Sequence, residues 1–254
     1  MESVKGSNKF LAISYADEDL ARQFCETKAF GIEGKSLRKL APEDELAKQI
    51  VESGARKLEV GFEVPLPWRT GEPNLPNNRP LAGFVLRALL RRFEKDPVYK
   101  ADYKMAVNSY LSSGYAHEVT DEDEPNIREQ YFLPQRGVRK KSTSTQKLII
   151  VFYSSASYNG RSLNSALLTG PALQNELPVV LLKFSEGEVA FAADIEAMFS
   201  RIRLRLEDAR YHRFLWKEES TETTRVLQVD RVTFRDMCSP FIAVSTLTHT
   251  AHEF

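Results

Sequence analysis

Cysteine is scarce in this chain. Cys25 and Cys238 lie far apart, so no disulfide framework is available and a reducing, intracellular compartment is expected. Net charge is lacking as well: 35 basic residues balance 35 acidic ones, which leaves room only for a local electrostatic footprint on nucleic acid. Long hydrophobic runs are missing. The longest, "LPVVLLKF", is far too short to span a bilayer, so no membrane partner is expected. The N-terminal "MESVKGSNKFLAISYADEDL" lacks the apolar centre of a signal peptide, which points to the cytoplasm, with the nucleus also open. There is no internal repeat and no low-complexity tract. What is present is an ordinary globular balance, 42% apolar and 28% charged, in 254 residues that suffice for one large domain or two small ones.

The first third reads as mostly helical. "YADEDLARQFCETKAFGI" has an acidic first turn and apolar residues at Leu20, Phe24 and Phe30. "APEDELAKQIVESGARK" opens on Pro42, repeats apolar residues at Leu46 and Ile50, and meets a stop at Gly54. "KLEVGFEVPLPW" alternates Leu58, Val60, Phe62 and Val64 like a half-buried strand. The Pro-rich "PLPWRTGEPNLPNNRP" predicts an extended loop, and "LAGFVLRALLRRFEK" and "DPVYKADYKMAVNSYLSSG" predict helices, the second capped by Asp96. The acidic "HEVTDEDEPN" reads as a loop and an internal boundary. Beyond residue 130 come short candidate strands: "KLIIVFYSS", "LPVVLLKFS", "EVAFAAD", "RFLWKEE" and "VLQVDRVTF". Helices are expected after Asp194 and after Ser239–Pro240. Mixed elements without a strict βαβ rhythm indicate an α+β fold.

In "EVAFAADIEAMF" an apolar stretch ends on Asp194, and an aromatic, Phe199, follows five residues later. By itself the pattern admits two readings. Asp194 caps a helix, with Glu196 in its first turn, or it holds a metal ion through a hard oxygen ligand.

Several segments occur in a telling order: "LPW" (66–68), "YFLPQRGVRKKS", "IIVFYSSASYNGRSLNSALLTGPAL", "FAADIEAMF", "HRFLW" and "VTFRDMCSP". Together they resemble the reverse transcriptase of BEL/Pao-type LTR retrotransposons, from about Phe24 onward, with "SLNSALLTGP", "DIEAMF" and "RFLW" the most specific parts. The resemblance implies an incomplete right-hand polymerase, fingers and partial palm, with a helical N-terminal portion. It divides the chain into a linker region (1–60), a mainly helical N-terminal part of the polymerase (61–125), and fingers with partial palm (126–254). It implies Mg2+ as cofactor, and template–primer and deoxynucleoside triphosphate as partners. Asp194 would be the metal-ligating catalytic aspartate at the end of a palm strand, and Phe199 the aromatic gate beneath the incoming sugar. Arg136, Arg139, Lys140 and Lys141 would contact template phosphates.

The chain also departs from the family. No Tyr-x-Asp-Asp motif occurs anywhere in it, and a lone carboxylate does not hold two divalent ions. The family's basic residue and aspartate of the fingers strand are replaced by Ile149 and Tyr153; Lys147 would have to supply the triphosphate contact instead. Arg235 stands where the family has Gly. The expectation is therefore a polymerase fragment inactive by itself. The alternatives are a non-catalytic nucleic-acid- or protein-binding module on the same scaffold, or a decayed reading frame. Without the missing motif, strands 188–194 and 226–234 are expected to expose unpaired edges that invite association with another chain. Other features read more plainly. Arg87, Arg91 and Arg92 form the wet face of a helix, and the pair His249 and His252 lacks companion ligands. His117 and His212 are isolated, Ser154 has no nucleophile context, and Trp68 and Trp216 read as anchors.

Overall fold

The computed structural model describes residues 40–71, 73–120, 131–141, 146–186, 189, 192–218 and 223–252. The helix expected over residues 15–32, with Cys25, lies outside them, as does the acidic run 121–126. Helix α1 (Pro42–Gly54) starts on a proline followed by Glu43, Asp44 and Glu45, which suit the positive end of the helix dipole. It buries Ala47 and Val51, one position on from the expected Leu46–Ile50 stripe, and leaves Leu46 exposed.

The alternating stretch after α1 is two strands rather than one. Strands β1 (Arg56–Lys57) and β2 (Phe62–Val64) pair antiparallel. Gly61, at φ +82°, reverses the chain between them and throws Val60 into solvent, where alternation alone had put it in a strand. Residues 65–67 and 73–78 lie outside helix and strand, as their prolines dictate, with bends at 69–71 between them.

Helix α2 (Arg79–Lys95) buries Ala82, Leu86, Leu89 and Phe93, the three–four spacing of one helix face. Helix α3 (Pro97–Ser112) is capped by Asp96, whose Oδ1 accepts from Tyr99 N at 2.8 Å, and buries Tyr99, Tyr103 and Val107. Strand β3 (Ala116–Val119) takes in the start of the expected acidic loop.

Strands β4 (Gln135–Lys141) and β5 (Gln146–Phe152) form a two-stranded antiparallel ribbon in the register Arg136↔Val151, Val138↔Ile149 and Lys140↔Lys147. Leu148, Ile150 and Phe152 face inward, and α3 packs against β5. A one-turn helix α4 (Leu163–Ala166) follows, closed by a reciprocal Ser162–Ser165 capping box.

"LPVVLLKFS", expected as a strand, is helix α5 (Leu177–Ser185). A short apolar run does not declare its period, and Pro178 in the first turn favours the helical start. Residues 192–194, the described end of the expected strand "EVAFAAD", are irregular. The helix expected after Asp194 is only a 3₁₀ turn, Met198–Arg201. Ala197 before it is left-handed, at φ 53°, which blocks an α-helix from running through.

Strand β6 (Arg203–Leu204) pairs parallel with β2. After helix α6 (Leu206–Ala209) come β7 (Arg213–Trp216) and β8 (Arg225–Val229), and the chain closes on α7 (Ser239–His252), as expected after Ser239–Pro240. Sheet order is β1–β2–β6 in one sheet and β3–β8–β7 in another. Strand β8 is therefore central and paired on both sides, so residues 226–229 are not the free edge the sequence suggested. Helices and small mixed sheets make the fold α+β, and β2–β6 and β3–β8 join sequence-distant segments. Between α2, α3 and β7 lies an aromatic core: Tyr103 stacks on Trp216 at 5.6 Å and 8°, with Phe93 edge-on at 5.4 Å from Tyr103. Such ring pairs contribute about 0.5–1.5 kcal/mol each beyond their buried area. Among the described residues no helix is long and apolar enough to cross a membrane.

Candidate functional site

The segments that carry the resemblance meet through buried polar side chains. "LPW" docks on Asp208, whose carboxylate accepts from Leu66 N at 2.8 Å and from Trp68 Nε1 at 2.6 Å. Burial lifts the Asp208 pKa, and these two hydrogen bonds hold it back. The same stretch runs along the "SLNSALL" segment: Leu168 N donates to Pro67 O, and Arg69 N to Ala166 O.

Five further motif residues form one network around the loop 230–238. Ser154 Oγ donates to Asp236 Oδ1 at 2.5 Å, and Thr233 Oγ1 to Asp236 Oδ2 at 2.9 Å. His212 Nε2 lies 3.1 Å from Asp236 Oδ2, an ion-pair distance whose angle falls short of a hydrogen bond, and its Nδ1 faces Arg231 O at 3.2 Å. Asn164 reads the backbone of the same loop, accepting from Met237 N at 3.0 Å and donating to Arg235 O at 3.2 Å. Burial disfavours the His212 imidazolium, but the Asp236 charge, the Arg231 carbonyl and the Asp208 charge outweigh it and raise its pKa. Burial likewise pushes Asp236 up, and its partners His212, Ser154 and Thr233 outweigh that and lower it. With oxygens opposite both ring nitrogens, the protonated ring suits this site. The network is structural: Ser154 donates to the carboxylate rather than to the imidazole, so no nucleophile–base pair exists here. Cys238 beside it is fully buried, and burial drives its thiol pKa well up, the reverse of an activated cysteine.

On the outer side of that loop, Phe199 is half-buried and meets Phe234 edge-to-face at 5.5 Å, with the Arg235 guanidinium 5.9 Å over the Phe234 ring. Arg235 thus caps an aromatic pair where the family's glycine would leave open space. Asp194, five residues before Phe199, is exposed and irregular, and it neither caps a helix nor ends a strand.

The ribbon β4–β5 carries the other expected contacts. The two-residue period puts Lys147, Ile149 and Val151 on the outward face; Lys147 is exposed on the same side as Ile149. Arg136 is exposed and sits 5.2 Å over the Tyr153 ring. Arg139 turns the other way and is held by Asp102 at 3.1 Å and Asp96 at 3.7 Å. Lys140 pairs in register with Lys147, and Lys141 with Gln146.

The Mg2+ implied by the resemblance does not fit the residues present. Among the described residues no group of three or more His, Cys, Asp or Glu is placed to hold a metal, and Asp194 is a solvated carboxylate. His249 and His252 belong to no such group; His249 instead lies 6.1 Å from the Phe62 ring. No protein-family model and no curated protein matches the chain.

Sequence reasoning missed His212, Asp236, Ser154 and Asn164 as one unit, because a network spread over 82 residues leaves no local spacing to read. It also treated His117 as isolated, whereas its Nδ1 lies 2.7 Å from Asp230 Oδ2.

Proposed function

We propose that this chain is a fragment of a retroelement RNA-directed DNA polymerase, its fingers and the beginning of its palm, and that it does not polymerise by itself. One observation carries the reading: Ser154 with Asn164, His212, and Thr233 with Asp236 come from three separate segments of the ordered resemblance and converge on the loop 230–238 through polar contacts. Three unrelated segments have no reason to carry matched polar groups unless they belong to one scaffold. The lone carboxylate of Asp194 supports inactivity, since two-metal transfer needs several anionic ligands. What remains usable is the outward face of β4–β5. Arg136 and Lys147 stand exposed there beside Tyr153, a cation–aromatic surface suited to a nucleic-acid backbone without base readout. That surface also serves the second reading, a non-catalytic binding module.

The test is primer extension with an annealed template–primer, all four deoxynucleoside triphosphates and Mg2+. We expect no extension but salt-sensitive binding of the template–primer. Extension by the purified chain would refute the inactivity. A transcript that continues into a Tyr-x-Asp-Asp segment would favour the polymerase fragment over the binding module.

A further inference from the structure

A cleft of about 460 Å³ opens between the 195–203 segment and α7. Its size lies within the roughly 300–1,000 Å³ typical of small-molecule sites. Its body is apolar, with Phe62, Met198, Ile202 and Leu247 among its walls. No carboxylate among the described residues lines it, yet Arg203 and Arg231 both do.

Those two arginines are forced together by the backbone. Residues 203 and 231 form an antiparallel bridge, so both side chains enter from one edge. Arg231 is steered by donation from Nη2 to Gly114 O at 3.1 Å, while its Nε is buried with no acceptor. Burial lowers the Arg231 pKa, and the Arg203 charge lowers it further, so the juxtaposition is held against repulsion. Across the cleft, Thr246 is 9% exposed and its Oγ1 also has no hydrogen-bond partner. A buried donor left without an acceptor forfeits its hydration with nothing in return. Asp230 offsets part of the Arg231 charge from outside the cleft, but two such donors in the wall of one cleft, beside two guanidiniums with no carboxylate in the lining, describe a missing acceptor that carries negative charge. The wall between Ile195 and Met198 adds backbone strain, since Ala197 is left-handed without being glycine.

We propose that the cleft binds an amphipathic oxyanion, a molecule with a phosphate, sulfonate or carboxylate head between Arg203 and Arg231 and an apolar body against Phe62, Met198 and Leu247. The head accepts from the guanidinium forks and from Thr246 Oγ1, and the hydrocarbon replaces water on the apolar walls. The site stands on its own geometry and does not depend on the polymerase reading.

Isothermal titration calorimetry with decyl phosphate, below its micelle concentration, tests it on the full chain. Saturable one-to-one binding is expected. Decanol, which lacks the charge, and inorganic phosphate, which lacks the body, should each bind at least about tenfold more weakly. Arg203 is exposed, so Arg203→Gln should keep the thermal unfolding midpoint and weaken decyl phosphate by about tenfold, the effect of one charge-assisted bond. Thr246→Val, which keeps the shape and removes the hydroxyl, should weaken it by several-fold. Decanol binding as well as decyl phosphate, or unchanged affinity in both variants, would overturn the proposal. So would adsorption to phosphatidylglycerol vesicles without binding of monomeric decyl phosphate, which would mark a surface patch rather than an enclosed site.

Discussion

The ring of His212 and the carboxylate of Asp236 face each other at 3.1 Å with neither side chain exposed to solvent. Removing one partner strands the other charge, and breaking such a buried pair costs about 3–5 kcal/mol. His212→Leu and Asp236→Asn should each lower stability by that amount in urea unfolding. The pair also sets a pH profile. His212 titrates above its ordinary 6.5, so its contribution is complete below pH 6.5 and fades as pH rises through the folded value. Asp236 titrates below 3.8, so its contribution is complete above pH 3.8 and fades as pH falls through its own folded value. The urea midpoint of the wild type should therefore fall as pH rises above 6.5 and through the folded value of His212, and His212→Gln should flatten that limb.

Gly170, in the "LLTGP" motif, is left-handed at φ +76°, and a β-carbon there would overlap the Phe241 ring. Gly170→Ala adds the left-handed strain to the overlap and should cost about 2–4 kcal/mol. Phe241→Leu in the same chain should recover part of the loss by opening space. Full recovery would show that the overlap, not the backbone conformation, dominates.

Tyr103 is fully buried and its hydroxyl has no partner, while its ring stacks on Trp216. Tyr103→Phe keeps the stack and removes an unsatisfied polar group, so it should be neutral or stabilising by about 1 kcal/mol. Trp216→Ala, in contrast, should cost about 3–5 kcal/mol. A clear loss on Tyr103→Phe would reveal a partner for the hydroxyl.

If the outward face of the ribbon binds a nucleic-acid strand, its cations release counterions on binding. Replacing Arg136 and Lys147 together with Gln should reduce the slope of log affinity against log salt by about 1.4 for a single-stranded oligonucleotide, about 0.7 for each lost phosphate contact. Arg139→Gln should act differently. Its ties to Asp102 and Asp96 make it a fold contact, so the loss should show in stability before it shows in the salt slope. Fluorescence anisotropy across a salt series separates the two effects.

Helix α5 exposes Leu177, Val179, Val180, Leu181, Leu182 and Phe184, a contiguous apolar surface larger than scattered single residues would make. The association expected from free strand edges is better assigned to this helix, since β8 is paired on both sides. Leu182→Glu should lower light scattering at high protein concentration without shifting the unfolding midpoint.

Helices α1, α2, α3 and α7 were legible because their signals are local: prolines at the first turn, Asp96 as a cap, apolar residues three or four apart. The strands 146–152, 213–216 and 225–229 were legible as short apolar runs bounded by turn residues, whereas 135–141, rich in Arg and Lys, was not among the expected strands. The misread elements were those whose pattern fits two states. The apolar run 177–185 has no period to distinguish strand from helix, and the alternation from Leu58 to Val64 does not announce that Gly61 turns the chain.

The order of its motifs, the absence of Tyr-x-Asp-Asp and the identities of Ile149, Tyr153 and Arg235 belong to the sequence alone. Side-chain identity and order along a chain need no coordinates. Which polar residues answer one another was decided only by tertiary structure: His212 for Asp236, Asn164 for the 235–237 backbone, Arg203 against Arg231. Hydrogen bonds and charges act over a few ångströms of space, and nothing in linear spacing records which distant segments the fold brings within that reach.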